Sequence, residues 1–213
     1  MPSFREYLEQ FPLVAILRGL RPENAETIGE ALVEGGFRII EVPLNSPEPL
    51  RSIELMARRF GESVLVGAGT VLRPDDVGRV RDAGGRLVVM PHSDTAVIGA
   101  AVAAGLACTP GVATPTEAFA ALTAGAAALK MFPAEMLPPV IVKAWRAVLP
   151  AATLLLPVGG ITPDSMESYV AAGADGFGLG SALFRPGATA SEVRENARRF
   201  AVAWELIRAR KAA

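Results

Sequence analysis

Short apolar runs alternate along the chain with longer amphipathic segments, and their spacing predicts repeated βα units. The predicted strands begin near eight positions: Val14, Ile39, Val64, Leu87, Ala107, Ala127, Thr153 and Gly176. Successive starts lie roughly 20 to 26 residues apart, the length of one strand with its return helix. We therefore expect an α/β fold, a single (β/α)8 TIM barrel domain spanning residues 1–213.

The alternative architecture is an open doubly wound sheet. Such a sheet often carries a Gly-rich dinucleotide turn after its first strand, and here that strand is followed by Arg18-Gly19-Leu20 instead. An amphipathic segment at Ser3 to Gln10 is predicted to form an N-terminal helix that covers the bottom of the barrel, and Ser191 to Arg210 is predicted to form the last helix.

Glycine and proline mark the predicted helix ends. Glycine closes five amphipathic segments, as a left-handed helix cap requires: Gly35-Gly36, Gly84-Gly85, Gly105, Gly125 and Gly173. Proline follows four predicted helix starts, where its missing N–H is no loss: Ser46-Pro47, Arg73-Pro74, Thr114-Pro115 and Thr162-Pro163. Thr114 and Glu117 also have the spacing of a capping box.

Composition removes several classes of function. The net charge is −1 and the arginines are scattered, so we expect no nucleic-acid or membrane-surface partner. A lone cysteine, Cys108, and a lone histidine, His92, exclude an internal disulfide and disfavour zinc bound by thiolate or imidazole. An all-carboxylate magnesium site stays open. Without a signal-peptide core or a long apolar span, the chain is predicted to be cytoplasmic.

Two ionisable residues lie inside otherwise apolar predicted strands. Lys130 stands in Leu129-Lys130-Met131, where burial lowers the pKa of an amine and makes it a nucleophile. Glu41 stands in Ile40-Glu41-Val42, where burial raises the pKa of a carboxyl and suits it to take and give a proton. The alternative interpretation is structural, with Lys130 and Glu41 simply paired to each other or Glu41 paired to Arg18.

Further polar or glycine positions end other strands, at the face where such barrels hold their active sites. Gly159-Gly160 and Gly180-Ser181 follow strands seven and eight and predict a phosphate cradle. Arg18 could bind a carboxylate or phosphate, and Thr70 could donate its hydroxyl to the same ligand. His92 is expected to line or cap the pocket, and Cys108 to be a small core residue.

These residues favour one reaction in particular. Lys130 would add to a ketone and lose water to give an iminium, an electron sink for breaking or making the adjacent C–C bond. Glu41, directly or through a water, would move the proton. The alternative from another class is a phosphosugar-binding barrel or isomerase without Schiff-base chemistry.

Several local strings resemble the 2-keto-3-deoxy-6-phosphogluconate aldolase family, most closely its phosphogalactonate branch. The sharpest are residues 41–47 (EVPLNSP), 67–72 (GAGTVL), 114–122 and 129–133 (LKMFP). The phosphogluconate type usually carries Pro-Thr-Gly-Gly where this chain has Pro157-Val158-Gly159-Gly160, which marks Val158 as a specificity position. It also commonly carries Thr-Leu-Arg-Thr where this chain has residues 42–46 (VPLNS).

The resemblance implies a cofactor-free homotrimer of (β/α)8 barrels that cleaves a phosphorylated keto-deoxy sugar acid to pyruvate and glyceraldehyde 3-phosphate. It implies that Lys130 is the Schiff-base lysine and Glu41 the proton donor and acceptor. Arg18 and Thr70 would hold the pyruvate-derived end. The phosphate site would comprise Gly159, Gly160, Gly180 and Ser181. The alternative substrates are 2-dehydro-3-deoxy-6-phosphogluconate and 4-hydroxy-2-oxoglutarate.

Overall fold

The computed structural model describes residues 2–212, in which eight βα units follow a short N-terminal helix. The strands are β1 (Leu13–Ile16), β2 (Ile39–Pro43), β3 (Leu65–Gly69), β4 (Leu87–Val89), β5 (Ala107–Thr109), β6 (Gly111–Val112), β7 (Leu129–Met131), β8 (Leu155–Pro157) and β9 (Phe177–Leu179). The helices are α1 (Phe4–Gln10), α2 (Ala25–Glu34), α3 (Pro49–Phe60), α4 (Pro74–Asp82), α5 (Thr95–Ala103), α6 (Pro115–Thr123), α7 (Pro139–Arg146), α8 (Met166–Ala171) and α9 (Ala190–Ala212).

All strand pairs are parallel and together they close a barrel. The strands run in the order β5-β4-β3-β2-β1-β9 and then β6-β7-β8, and a bridge between Val158 and Gly178 joins β8 to β9. Pro110 divides the fifth barrel strand into β5 and β6, yet its carbonyl still accepts the Lys130 N–H at 2.9 Å. The prediction of a (β/α)8 barrel is confirmed, and the open doubly wound sheet is wrong.

Helix α1 closes the bottom of the barrel, as the sequence predicted. Ser3 and Glu6 form a capping box at its start, and the side chains of Phe4, Tyr7 and Leu8 are buried. These three side chains pack in one cluster with the inward-facing layer of the strands, which includes Ile39. Burial of each such large side chain contributes about 1.5–3 kcal/mol. The lower end of the barrel is therefore filled with apolar side chains.

The predicted glycine ends of the helices are confirmed. Gly36 and Gly125, each the second residue after α2 and α6, have φ of 96° and 98°, in the left-handed region that a side chain rarely adopts. Gly84, Gly105 and Gly173 also have positive φ.

Two of the four proline-marked helix starts are displaced along the chain. Helices α4 and α6 begin at Pro74 and Pro115 as predicted, whereas α3 begins at Pro49 and α8 at Met166. The prediction of a start at Ser46-Pro47 is wrong because the Ser46 hydroxyl accepts the N–H of Gly19 instead of capping a helix.

The start predicted at Thr162-Pro163 is also too early. The Ser165 hydroxyl accepts the N–H of Thr162 and donates to its carbonyl, so these residues form a closed turn before α8 begins. In the part of the chain that the structure describes, no helix is both long enough and apolar enough to cross a bilayer.

Candidate active site

A cleft of about 520 Å³ opens at the carboxyl ends of β1, β7, β8 and β9. Six of the site residues predicted from the sequence line this cleft: Arg18, Lys130, Gly159, Gly160, Gly180 and Ser181. The proposed specificity residue, Val158, lines it as well. This is the face on which barrels of this type carry their chemistry.

Lys130 reaches this cleft from the middle of β7. Its side chain is almost fully buried, at 7 % exposure, and its Nζ lies 4.8 Å from the centre of the Phe132 ring. The Nζ makes no hydrogen bond or ion pair with any residue from 2 to 212. Burial lowers the pKa of Lys130, the charge of Glu41 opposes this effect, and the charge of Arg18 adds to it. The neutral amine is thus made more accessible near neutral pH.

Glu41 interacts electrostatically with Lys130 but lies behind the cleft surface and does not line the cleft itself. It is 1 % exposed on β2, and its Oε2 has no hydrogen-bond partner among the described residues. Burial raises its pKa to about 7, although the charges of Lys130 and Arg18 act in the opposite direction. A carboxyl that titrates near neutrality can both accept and release a proton during one turnover.

Glycine at position 69 makes room for the Glu41 carboxylate. A Cβ placed on Gly69 would lie 1.7 Å from Glu41 Oε2 and 2.4 Å from its carboxyl carbon. The neighbouring strand β3 therefore has no side chain at this level of the barrel, and the carboxylate occupies that space. This close approach was not anticipated from the sequence.

Arg18 is held at the mouth of the cleft by a residue that the sequence analysis did not select. Its Nη1 donates to Asn45 Oδ1 at 2.8 Å, across the turns that follow β1 and β2. The guanidinium lies close enough to lower the pKa values of both Glu41 and Lys130. Arg18 can therefore present donors to an anionic group beside the reacting residues.

The glycine turns after β8 and β9 form the opposite part of the cleft. Gly159 and Gly160 have φ of 113° and 62°, and a Cβ on Gly159 would lie 2.3 Å from Glu135 Oε2. A Cβ on Gly180 would meet nothing within 4 Å, so open space lies above that residue. The N–H groups of Gly160 and Ser181 donate to no other described residue. Such turns can hold an anion with backbone donors.

Three other predicted positions lie elsewhere. Thr70, with φ of 54°, does not line the cleft of Lys130 but a neighbouring one that it shares with Asn45, so its contact with substrate stays a prediction. His92 is exposed and does not line the cleft, so the expectation that it lines the pocket is wrong, whereas a capping role stays a prediction. The backbone explains its position, because the His92 carbonyl accepts the Gly111 N–H at 3.1 Å. Cys108 is buried beside Met90, as expected of a core residue.

Several residues of the cleft escaped the sequence analysis because they lie after the strand ends, in the loops. Phe132, Glu135, Phe184 and Arg185 all line it. A usable signal was present for Glu135 and Arg185, since each is a charged residue four or six positions after a strand end that had already been assigned to the active face.

Comparison with known proteins gives a consistent result. The family profile described as "Aldolase: KDPG and KHG aldolase" matches residues 4–197. A Rhizobium meliloti (strain 1021) protein named "Probable 2-dehydro-3-deoxy-6-phosphogalactonate aldolase" is 48 % identical over 196 residues, which cover 92 % of both chains. An Escherichia coli (strain K12) protein named "2-dehydro-3-deoxy-6-phosphogalactonate aldolase" is 41 % identical over 199 residues, covering 93 % of this chain and 97 % of its relative.

A solved structure has the same fold over nearly the whole chain. The structure described as "Native KDPGal structure" superimposes with a TM-score of 0.91 at 41 % sequence identity. The match covers 93 % of this chain and 96 % of the other.

Proposed function

The chain belongs to the KDPG and KHG aldolase family of class I aldolases, and from this premise we propose that its substrate is 2-dehydro-3-deoxy-6-phospho-D-galactonate. As a carbon–carbon lyase it would cleave that compound reversibly to pyruvate and D-glyceraldehyde 3-phosphate. The observation that carries the proposal is the buried Lys130 of the cleft and the buried Glu41 that interacts with it electrostatically, with pKa values shifted toward each other.

Lys130 is the nucleophile of this proposal. Its neutral amine adds to the C2 ketone of the substrate, and the resulting carbinolamine loses water to give an iminium. Burial of Nζ is what makes the neutral form accessible, because an exposed lysine with a pKa of about 10.4 is almost entirely protonated at pH 7.

Glu41 moves the protons. As a carboxylate, directly or through a water, it accepts the proton of the C4 hydroxyl while the C3–C4 bond breaks and its electron pair moves into the iminium. The aldehyde leaves, and the remaining enamine takes a proton from Glu41 at C3. Hydrolysis of the pyruvate iminium then releases pyruvate and restores Lys130. A pKa of about 7 suits a group that must act in both directions.

The two ends of the substrate have complementary partners in the cleft. Arg18, fixed by Asn45, offers donors to the C1 carboxylate beside Lys130. The turns at Gly159-Gly160 and Gly180-Ser181 offer backbone N–H groups to the C6 phosphate. This orientation places the C2 ketone at Nζ and the phosphate near the opening.

Trapping with borohydride tests the covalent step. Reduction in the presence of pyruvate is expected to add a pyruvate-derived mass to the peptide that contains Lys130. Lys130→Met should remove both the label and turnover, while Lys143→Met, which changes an exposed lysine on α7, should leave both intact. Label on another residue, or turnover that survives Lys130→Met, would refute Lys130 as the nucleophile. Absence of any label would instead support a binding barrel or isomerase without Schiff-base chemistry.

A coupled assay on two epimers tests the substrate. We expect kcat/KM to be higher for 2-dehydro-3-deoxy-6-phosphogalactonate than for its C4 epimer, 2-dehydro-3-deoxy-6-phosphogluconate. A preference for phosphogluconate, or for 4-hydroxy-2-oxoglutarate, would overturn the substrate assignment while leaving the lyase chemistry in place.

We also propose that the chain works as a homotrimer of single-domain barrels in the cytoplasm. Large apolar side chains stand exposed on neighbouring helices α5 and α6, at Val102 and Phe119, and burying such a pair between subunits would stabilise an assembly. Light scattering after size-exclusion chromatography is expected to give three times the chain mass of 22.3 kDa. A monomer mass would refute the trimer.

A further inference from the structure

We propose that Arg185 is a substrate-binding residue that clamps the phosphate group of the sugar acid, and that it gives the enzyme its discrimination between phosphorylated and unphosphorylated aldehydes. The inference rests on the function proposed above. Arg185 lies in the turn that follows β9 and lines the same cleft as Lys130, on the side of Gly180 and Ser181.

The backbone on both sides of Arg185 is anchored. Phe184 is 5 % exposed, and a Cβ placed on Gly19 would lie 2.7 Å from Cγ of Pro186, so the proline ring packs directly on the turn after β1. That turn is itself fixed, since the Gly19 N–H donates to the Ser46 hydroxyl at 2.9 Å. The side chain of Arg185 therefore extends from a fixed point of the cleft wall.

The Arg185 guanidinium is also held in one orientation, and its terminal N–H groups remain available to a ligand. Its Nε donates to the carbonyl of Ser181 at 3.1 Å, which folds the side chain back over the Gly180-Ser181 turn. The two terminal nitrogens make no hydrogen bond or ion pair with any residue of the described range 2–212. Two parallel N–H donors in this arrangement match two phosphate oxygens.

The charges of the cleft favour a cation on the phosphate side. A phosphate monoester carries a charge of about −1.5 to −2 near pH 7, and the Glu135 carboxylate already lies against the Gly159-Gly160 turn. Of the other two described basic residues that line the cleft, Arg18 is the proposed partner of the C1 carboxylate, and Lys130 must be neutral to act as nucleophile. Arg185 is the remaining basic residue, and it stands on the phosphate side.

The aldol direction gives a direct test, because the two aldehydes differ only in the phosphate. Condensation of pyruvate is measured with D-glyceraldehyde 3-phosphate and with D-glyceraldehyde, for the wild type and for Arg185→Gln. We expect KM for the phosphorylated aldehyde to rise roughly tenfold to a hundredfold, as for loss of a charge-assisted bidentate contact. The kinetic constants for D-glyceraldehyde should stay unchanged. Arg185→Lys should keep part of the discrimination.

The matched control is Arg199→Gln, since Arg199 is exposed in a pocket adjoining the cleft but does not line the cleft itself. This variant loses the same charge and should keep wild-type constants for both aldehydes. Equal losses for the two aldehydes in Arg185→Gln, or equal effects of the Arg185 and Arg199 variants, would overturn the proposal. Borohydride trapping of pyruvate distinguishes failure of the proposed function from failure of the Arg185 proposal. A wild type that forms no Schiff base refutes the proposed function. Normal trapping in Arg185→Gln, with unchanged discrimination between the two aldehydes, refutes the role of Arg185 alone.

Discussion

Replacing Glu41 by glutamine tests the idea that a buried carboxyl with a raised pKa is the proton-transfer group. The two side chains have nearly the same shape, and the variant cannot titrate. Its kcat is expected to fall about 10²- to 10⁴-fold, the usual contribution of a positioned acid or base. The sharper readout is stability, because the same burial that raises the pKa of Glu41 makes folding depend on pH.

The size of this pH dependence follows from the pKa of Glu41, which rises from 4.5 to about 7 on folding. At about 1.4 kcal/mol per pKa unit, this difference corresponds to about 3 kcal/mol. The folded protein holds the Glu41 proton more tightly than the unfolded chain does. This contribution to stability is therefore complete below pH 4.5, is lost as pH rises through about 7, and stays lost above it.

Denaturant unfolding at pH 5 and pH 8, at one protein concentration, measures the effect. We expect the free energy of unfolding of the wild type to fall by about 2.5 kcal/mol more than that of Glu41→Gln over this interval. The exposed Glu23→Gln serves as control and should follow the wild type. The amide introduced in Glu41→Gln leaves a polar group unpaired, at about 1–3 kcal/mol, but this cost is the same at both pH values. Parallel pH profiles for the wild type and Glu41→Gln would refute the reasoning.

Three further substitutions probe the walls of the cleft. Gly69→Ala would place a Cβ 1.7 Å from Glu41 Oε2, so we expect the carboxylate to be displaced. As a result, kcat should fall at least tenfold and the unfolding free energy by about 1–3 kcal/mol. A variant with normal kcat would contradict this expectation. Asn45→Ala removes the acceptor for Arg18 and should raise KM for pyruvate about fivefold, as for about 1 kcal/mol, without changing kcat; steady-state kinetics decide. Val158→Thr should shift the ratio of kcat/KM for the two C4 epimers toward phosphogluconate about two- to tenfold, and an unchanged ratio would remove Val158 from specificity.

Local sequence signals predicted the barrel well because they act within a few residues. The capping box of Thr114 and Glu117 forms as expected, with the Glu117 N–H bonded to the Thr114 hydroxyl at 3.3 Å. Ser46 shows the limit of such signals, since its hydroxyl is taken by Gly19, which is remote along the chain. Which partner a cap residue takes depends on the closed barrel and cannot be inferred from its neighbours in sequence.

The candidate site was predictable to the extent that it depends on unusual residues in regular positions. Lys130 and Glu41 stood out because a charge in an apolar strand is rare, and the structure buries both. Asn45 and Arg185 did not stand out, since polar and basic residues are common in loops. Their relevance comes from contacts across the barrel mouth, to Arg18 and to Ser181, which only the folded chain reveals.

The filled floor of the barrel has a consequence for isotopes. Because Phe4, Tyr7 and Leu8 fill the lower end of the barrel and Glu41 is only 1 % exposed, little water reaches that carboxyl. A proton taken from the methyl group of the pyruvate iminium is then retained beside the carbon it left. With deuterated pyruvate, we expect deuterium to return to the methyl carbon more often than it exchanges with water. The deuterium content of recovered pyruvate measures this ratio.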